Sequence, residues 1–176
     1  MEQWDVFDKS GKPTGKKVIR GRLSLKKGEY HLVVHVWVLS GNGKVLIQRR
    51  SDQKPLMPGE WAATGGAAVA GENSYSAAGR ELFEELGIAS KREDLKLIKR
   101  FIRKNSFLDV YMIYADVSIF DLILQKEEVA DVKWVTVAEL KQMIKEGNFH
   151  NYGSEYFECV FSAFQKIVRK EALYNE

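Results

Sequence analysis

Between Gly66 and Ile88 the chain reads GAAVAGENSYSAAGRELFEELGI, and this segment constrains the fold more than any other. Ser74 to Leu86 has helix-forming composition and stops at Gly87, where the left-handed residue after a helix belongs. Ala78, Leu82 and Leu86 recur every fourth residue and mark the face to be buried. Each helical residue advances about 100°, so Glu81, Glu84 and Glu85 crowd into one sector of roughly 100°. Like charges at that spacing destabilise an isolated helix, so positive charge must compensate them. Three hard oxygen ligands suit Mg²⁺ or Mn²⁺, and Mg²⁺ in particular takes a few carboxylates together with substrate phosphates. Arg80, four residues ahead of Glu84, is placed to hold that carboxylate. Three glutamates alone would read as a solvated face. The whole set (Gly66, Glu72, Arg80, Glu81, Glu84, Glu85 and Gly87) is different, because at average usage seven fixed identities coincide about once in 10⁸ starts.

The flanking segments supply a sheet for this helix. Trp4–Asp8 and Lys17–Leu25 flank the turn-rich stretch Lys9–Gly15 and read as a β-hairpin arm over the first thirty residues. His31–Leu39 (HLVVHVWVL) is a strand of β-branched and aromatic residues, joined through the turn Ser40–Gly43 to a second strand, Lys44–Arg49. A loop holding two of the three prolines covers residues 51–60. After the helix come strands at Leu95–Phe101, Leu108–Val117 and Asp131–Thr136, then a short helix, Val137–Lys145. Ser154–Leu173 places Phe157, Val160, Phe161, Phe164, Ile167 and Val168 on one face and reads as a long amphipathic helix. No repeat, linker or low-complexity tract divides the 176 residues, which read as a single domain, 1–176.

Composition excludes several classes. A chain with 45% hydrophobic and 11% aromatic residues is not a solvated coil, and Cys159 has no second cysteine to pair with. The most apolar run, His31–Leu39, is far shorter than the roughly 20 residues that cross a bilayer. Met1–Asp5 lacks the basic, apolar character of a leader, so a reducing cytoplasm is expected. A net charge of +3 suits an anionic small molecule without calling for nucleic acid, and Lys16, Lys17, Arg20, Arg22, Lys26 and Lys27 read as a solvated basic arm. His31, Val33, His35 and Trp37 share one strand face, from which the histidines can reach substrate or metal. Trp61 and Trp134 read as core and Cys159 as an apolar filler, whereas Phe107 and Tyr111 are placed to cover a base.

The Gly66–Ile88 segment resembles the Nudix box, G-x5-E-x7-R-E-U-x-E-E-x-G-U with U aliphatic. Every position is met, by Gly66, Glu72, Arg80, Glu81, Leu82, Glu84, Glu85, Gly87 and Ile88. The strand and loop before it, and Val129–Val135 followed by Glu139-Leu140 after it, also look like a Nudix domain, so the resemblance runs from about Tyr30 to Lys145. It implies an α+β fold, an α/β/α sandwich around a mixed β-sheet, here with the N-terminal β arm and long C-terminal helix added. It further implies a divalent-metal hydrolase of nucleoside diphosphates linked to another moiety. Carried over by position, Glu81, Glu84 and Glu85 are metal ligands, with a backbone carbonyl at Gly65 or Gly66. Glu72 and Arg80 support them. A glutamate of the box, or of the loop before the last strands, serves as general base; Glu127 and Glu128 occupy that loop, and Glu128 is the candidate.

The upstream half resembles the branch containing type 1 isopentenyl-diphosphate isomerase. The shared features are an arm with Gly-Lys-Pro-Thr-Gly, the strand from His31 to Trp37, and Gln48–Lys54 leading to Pro58-Gly59-Glu60-Trp61. That likeness assigns Arg50 and Lys54 to gripping a diphosphate, and paired cations suit the task. It also keeps His31 as a candidate for contact with substrate. Isomerase chemistry needs a cysteine before the box glycine, where this chain has Thr64-Gly65, and a histidine after it, where Ala67 stands; another histidine of that branch aligns near Ser24. The expectation is therefore a hydrolase on an isomerase-like frame, acting on a nucleoside di- or triphosphate or another small organic diphosphate. An isomerase-like enzyme and a non-catalytic ligand-binding or regulatory module are the alternatives. Markers of ADP-ribose and dinucleoside polyphosphate hydrolases are missing downstream, where Arg103, Lys104, Asn105 and Ser106 stand. The arm either pairs with its own sheet or exchanges with a neighbour to form a homodimer.

Overall fold

The computed structural model describes residues 2–21 and 25–172, with side chains as far as Lys166. Arg22, Ser24, Leu173 and the side chains of Ile167 and Val168 lie outside the described residues.

The middle strand is β3 (His31–Leu39). Period-two alternation sends Leu32, Val34, Val36 and Val38 to one face of the sheet and Trp37 and Leu39 to the other. Along one edge β3 pairs in parallel with β8 (Ser106–Tyr114), which is buried nearly throughout, as a strand covered on both faces must be. The outer neighbour of β8 is the antiparallel β7 (Lys96–Ile102). Along its other edge β3 changes partner. Val38 and Leu39 pair with β4 (Lys44–Arg50), but Val33–Val36 pair with β6 (Thr64–Ala67). Beyond those pairs β4 takes up the short β5 (Trp61–Ala62) at Gln48 and Arg49, while its other edge pairs with β9 (Val129–Thr136) from Lys44 to Arg50. The expected hairpin after His31–Leu39 exists, yet it splays after two residues, and the functional site occupies that opening.

Helix α1 (Ser74–Leu86) covers one face, burying Ala77, Ala78, Leu82 and Leu86 against β3 and β8. Asn73 Oδ1 accepts the Ser76 amide at its start, and Gly87 ends it at φ 72°, with its amide on the Phe83 carbonyl. The other face carries α2 (Val137–Lys145), started by a reciprocal Thr136–Glu139 capping box, and α3 (Ser154–Ala172). Leu140, Tyr156, Phe157, Val160 and Phe164 from these helices pack on Trp37, Leu39, Val110 and Met112. This is the α/β/α sandwich around a mixed sheet, with the long C-terminal helix in place. Cys159 is a half-buried, unpaired residue of α3. Among the described residues no helix is long and apolar enough to cross a membrane.

The arm is a hairpin of β1 (Gln3–Phe7) and β2 (Pro13–Ile19). Its second strand starts earlier than Lys17 because the turn is short. Asp8 Oδ1 accepts the amides of Ser10 (2.8 Å) and Lys12 (3.1 Å), closing the turn before Pro13. The arm lies on its own body. The Gln3 carbonyl takes the Ala70 amide, Asp5 Oδ2 takes the Gly71 amide, and Trp4 stacks on His31 with ring centroids 4.5 Å apart.

Candidate active site

A cavity of about 650 Å³ opens where β4 and β6 part, and the Gly66–Ile88 segment forms one wall. Arg80 organises that wall. Its Nε and Nη2 hold both Glu72 oxygens (2.7 and 3.0 Å), while Nη1 reaches Glu81 Oε1 and Glu84 Oε2, each at 2.9 Å. Nη2 also donates to the Ala67 carbonyl at 3.1 Å, tying the helix to β6. One planar cation therefore compensates three carboxylates, where the helical spacing alone pointed only to Glu84.

Glu85 is 2% exposed. Its Oε2 accepts from Gln48 Nε2 (2.9 Å) and from the Gly65 amide (3.2 Å), and Gln48 in turn accepts from the Thr64 hydroxyl at 3.1 Å. Burial, reinforced by the charge of Glu81, pushes the Glu85 carboxyl up to about 8. Burial also raises Glu81, with Arg80 opposing it. The neighbouring glycines are required by space. A Cβ on Gly65 would lie 2.1 Å from the Val34 carbonyl oxygen, and one on Gly66 would lie 2.3 Å from Glu81 Oε1.

Among the described residues no three His, Cys, Asp or Glu side chains converge closely enough to hold a metal ion by themselves, and the Arg80 guanidinium sits between Glu81 and Glu84. The donor set still fits a hard divalent cation. Two carboxylates, Glu81 and Glu85, are held above their ordinary range beside a glycine pair where a Cβ would fill the space next to the Val34 carbonyl and the Glu81 carboxylate.

The opposite wall carries Arg50, Lys54 and Glu128, as expected, with Lys54 ion-paired to Glu128. The Ser51 amide donates to the Glu128 carbonyl at 2.8 Å, which fixes the proline loop to the segment before β9. Glu127 does not line the cavity. His31 does not line it either. His35, four residues on and so about 13 Å further along the strand, does. Its Nδ1 is 2.9 Å from the Tyr156 hydroxyl, which also accepts from Trp37 Nε1, and burial drives its pKa down to about 3. Phe107 and Tyr111 cannot cover a base. They are 3% and 0% exposed, with Tyr111 donating to the Ser74 hydroxyl and Phe107 packed on Tyr30. Trp61 and Trp134 are half-buried, Trp61 beneath Lys133 and Trp134 donating to the Val117 carbonyl.

Sequence reasoning missed several wall residues: Glu2 and Arg20 of the arm, Arg103, Gln125, and His150–Tyr152. Arg103 stands in the stretch where the markers of ADP-ribose and dinucleoside polyphosphate hydrolases are missing, which is its only signal. The 150–152 loop carried none.

Comparison with known proteins agrees with this arrangement. The model of the NUDIX domain matches residues 29–155. An uncharacterised Nudix hydrolase of Listeria monocytogenes is 40% identical over 153 residues, 86% of this chain and 90% of its own. Nudix hydrolase 3 of Arabidopsis thaliana is 36% identical across 81% of this chain, a stretch that makes up 20% of the plant protein. Among solved structures, a Deinococcus radiodurans protein has the same fold, with a TM-score of 0.70, 24% identity, and coverage of 96% of this chain and 98% of its own. A bifunctional NMN adenylyltransferase/ADP-ribose pyrophosphatase of Francisella tularensis, solved with AMP and a Mn ion, superposes with a TM-score of 0.60 at 20% identity, over 82% of this chain and 43% of that one. With the box complete, its carboxylates gathered by Arg80 at the mouth of the cavity and these relatives alongside, the chain belongs to the Nudix family and is one of its pyrophosphohydrolases.

Proposed function

We propose that this chain, acting as one domain, hydrolyses a diphosphate linkage in a nucleoside di- or triphosphate or another small organic diphosphate. In this reading Mg²⁺, or Mn²⁺, is held by Glu81, Glu84, Glu85 and the backbone carbonyl at Gly65. When bound, the cation supplies charge neutralisation at the diphosphate and activation of water for in-line attack on phosphorus. Arg50 and Lys54 bind and orient the diphosphate from the facing wall. Glu128 takes the proton of the attacking water at its carboxylate; its charge already acts on both Glu81 and Glu85. Arg80 and Glu72 keep the acidic wall in place.

The observation that carries this reading is buried Glu85 next to half-buried Glu81, beside side-chain-free Gly65 and Gly66, a costly arrangement that a mere binding surface has no reason to keep. Thr64 favours hydrolysis over isomerisation. With Gly65 it fills the stretch before the box glycine where the isomerase branch has its cysteine, so no thiol stands there, and its own hydroxyl is buried and committed to Gln48. The test is product release from a panel of nucleotides and small diphosphates with Mg²⁺, run beside Glu84→Gln and Glu85→Gln. Turnover of one substrate class, falling at least about 100-fold in both variants, is expected. Tight diphosphate binding by a wild type that turns over nothing would replace the enzyme with a sensor.

A further inference from the structure

Most cations around the cavity already have partners. Lys54 is paired with Glu128, Arg20 with Glu2 at 2.8 Å, and Arg80 with three carboxylates. Arg50 and Arg103 are different. Arg50 spends its Nε–H on the Leu56 carbonyl at 3.2 Å and forms no ion pair among the described residues. The Arg103 guanidinium makes neither a hydrogen bond nor an ion pair with any described residue.

The Arg103 backbone is nevertheless held, although its side chain is exposed. It opens the turn between β7 and β8, where its amide donates to the Ser106 carbonyl at 2.8 Å, and the Asn105 carbonyl accepts from the His31 amide at 3.0 Å. The turn is thereby tied to the first residue of β3, and its arginine side chain lines the cavity. Beyond the effect of burial, the Arg103 and Arg50 charges both act on His35 and Tyr152. Two uncompensated guanidinium groups in one cavity call for an anion, and their planar donor forks match phosphate oxygens. A nucleobase is a poorer occupant of this part of the wall. The rings that line it, His35, His150 and Tyr152, are packed on one another at 4.7 and 4.8 Å.

We propose that Arg103, sharing the load with Arg50, holds a terminal phosphate of the substrate that lies outside the linkage being cleaved. The substrate is then a polyphosphorylated molecule, not a diphosphate with two neutral ends. This rests on the pyrophosphohydrolase reading of the same cavity.

The experiment compares a nucleoside triphosphate with a dinucleoside diphosphate, which has no terminal phosphate, in wild type, Arg103→Gln and Lys104→Gln. Lys104 is exposed on the same turn and does not line the cavity, so its variant controls for a general loss of positive field. Expected is a rise in KM for the triphosphate of about tenfold or more in R103Q alone, with kcat changed less than about twofold. The KM for the dinucleoside diphosphate should move less than about twofold. Turnover of the triphosphate alone, with that same KM rise, also supports the assignment. Equal KM shifts for both substrates, equal shifts in R103Q and K104Q, an unmoved triphosphate KM, or turnover of the dinucleoside diphosphate alone overturns it. If wild type cleaves neither, the hydrolase reading is decided separately by the wider panel of diphosphates. Calorimetric binding of inorganic tripolyphosphate in metal-free buffer then decides Arg103: about tenfold weaker binding in R103Q than in K104Q supports it, and equal binding overturns it.

Discussion

Two adjacent glycines, changed one at a time to alanine, separate folding from chemistry. In Gly66→Ala the new Cβ would stand 2.3, 2.5 and 2.7 Å from Glu81 Oε1, Cδ and Oε2. Ordinary contact begins near 3.4 Å, so the carboxylate must retreat by roughly 1 Å, away from the position Arg80 gives it. Moving the end of one side chain off its rotamer costs about 1 kcal/mol, and replacing glycine lowers unfolded-state entropy by a similar amount. Net stability is therefore nearly unchanged, and Tm should stay within about 4 °C of wild type. A 1 Å misplacement of a reacting constellation, by contrast, costs about 100-fold in rate. In Gly65→Ala the obstacle is the Val34 carbonyl at 2.1 Å, part of the β3 backbone, and φ is +156°. The strands must separate or the backbone must strain, at about 3 kcal/mol or more, which lowers Tm by roughly 6–12 °C. Calorimetric melting and steady-state hydrolysis of both variants decide the matter. A folded Gly66→Ala enzyme with wild-type kcat/KM would refute the claim that Glu81 must sit where Arg80 holds it. A Gly66→Ala chain that melts as early as Gly65→Ala would refute the claim that the clash is confined to one side chain.

Other expectations follow from single contacts. Asp109 is 1% exposed and held by Arg100 through bonds of 2.6 and 2.7 Å, so Arg100→Met, which leaves the buried carboxylate with only the Ser74 hydroxyl, should cost about 3 kcal/mol in urea unfolding. Tyr111→Phe removes a 2.6 Å hydrogen bond to Ser74, costing about 1 kcal/mol by the same assay while leaving KM unchanged, because the ring is in the core and not beside substrate. Burial, and secondarily the Arg103 charge, lowers the His31 pKa to about 4. Its unfolded value is near 6.5, so below that pH the unfolded chain takes up the proton first; stability is intact above pH 6.5 and is lost as pH falls toward 4, at up to about 1.4 kcal/mol per pH unit. His31→Phe should reduce the slope of that part of the pH–stability curve, leaving the similar share of buried His35, and a curve of unchanged slope would show that His31 is not a source of the loss.

What could be read without the structure follows from how local each signal is. The limits of α1 and α2 and the whole of β3 are written in nearby residues: a capping asparagine or threonine, a glycine stop, an unbroken β-branched run. Strand β6 was not legible, because Thr64-Gly65-Gly66-Ala67 has little intrinsic preference for extended structure and is a strand only because Val33–Val36 pair with it. The acidic wall could be found because its members share one helix. The opposite wall could be found only in part, since Arg50 and Lys54 follow one strand whereas Arg103, His150 and Tyr152 arrive from turns that local pattern leaves blank. Phe107 and Tyr111 were misplaced for a related reason. Alternation tells which residues share a face of β8, but this strand is covered on both faces, so neither set is free.

The arm ends before residue 29, where the family match begins, yet its Glu2 and Arg20 stand in the rim of the cavity. Cleavage chemistry and part of the entrance thus belong to different stretches of chain, joined by Trp4 on His31, by the Ala70 and Gly71 amides, by the paired Phe7 and Tyr30 backbones and by Ala67 packed on the arm's small core. Such a joint lets one piece drift while the other is held constant. A descendant that exchanged its first two strands for another hairpin would keep the same cutting edge behind a new doorway, and the doorway would decide which molecules reached it.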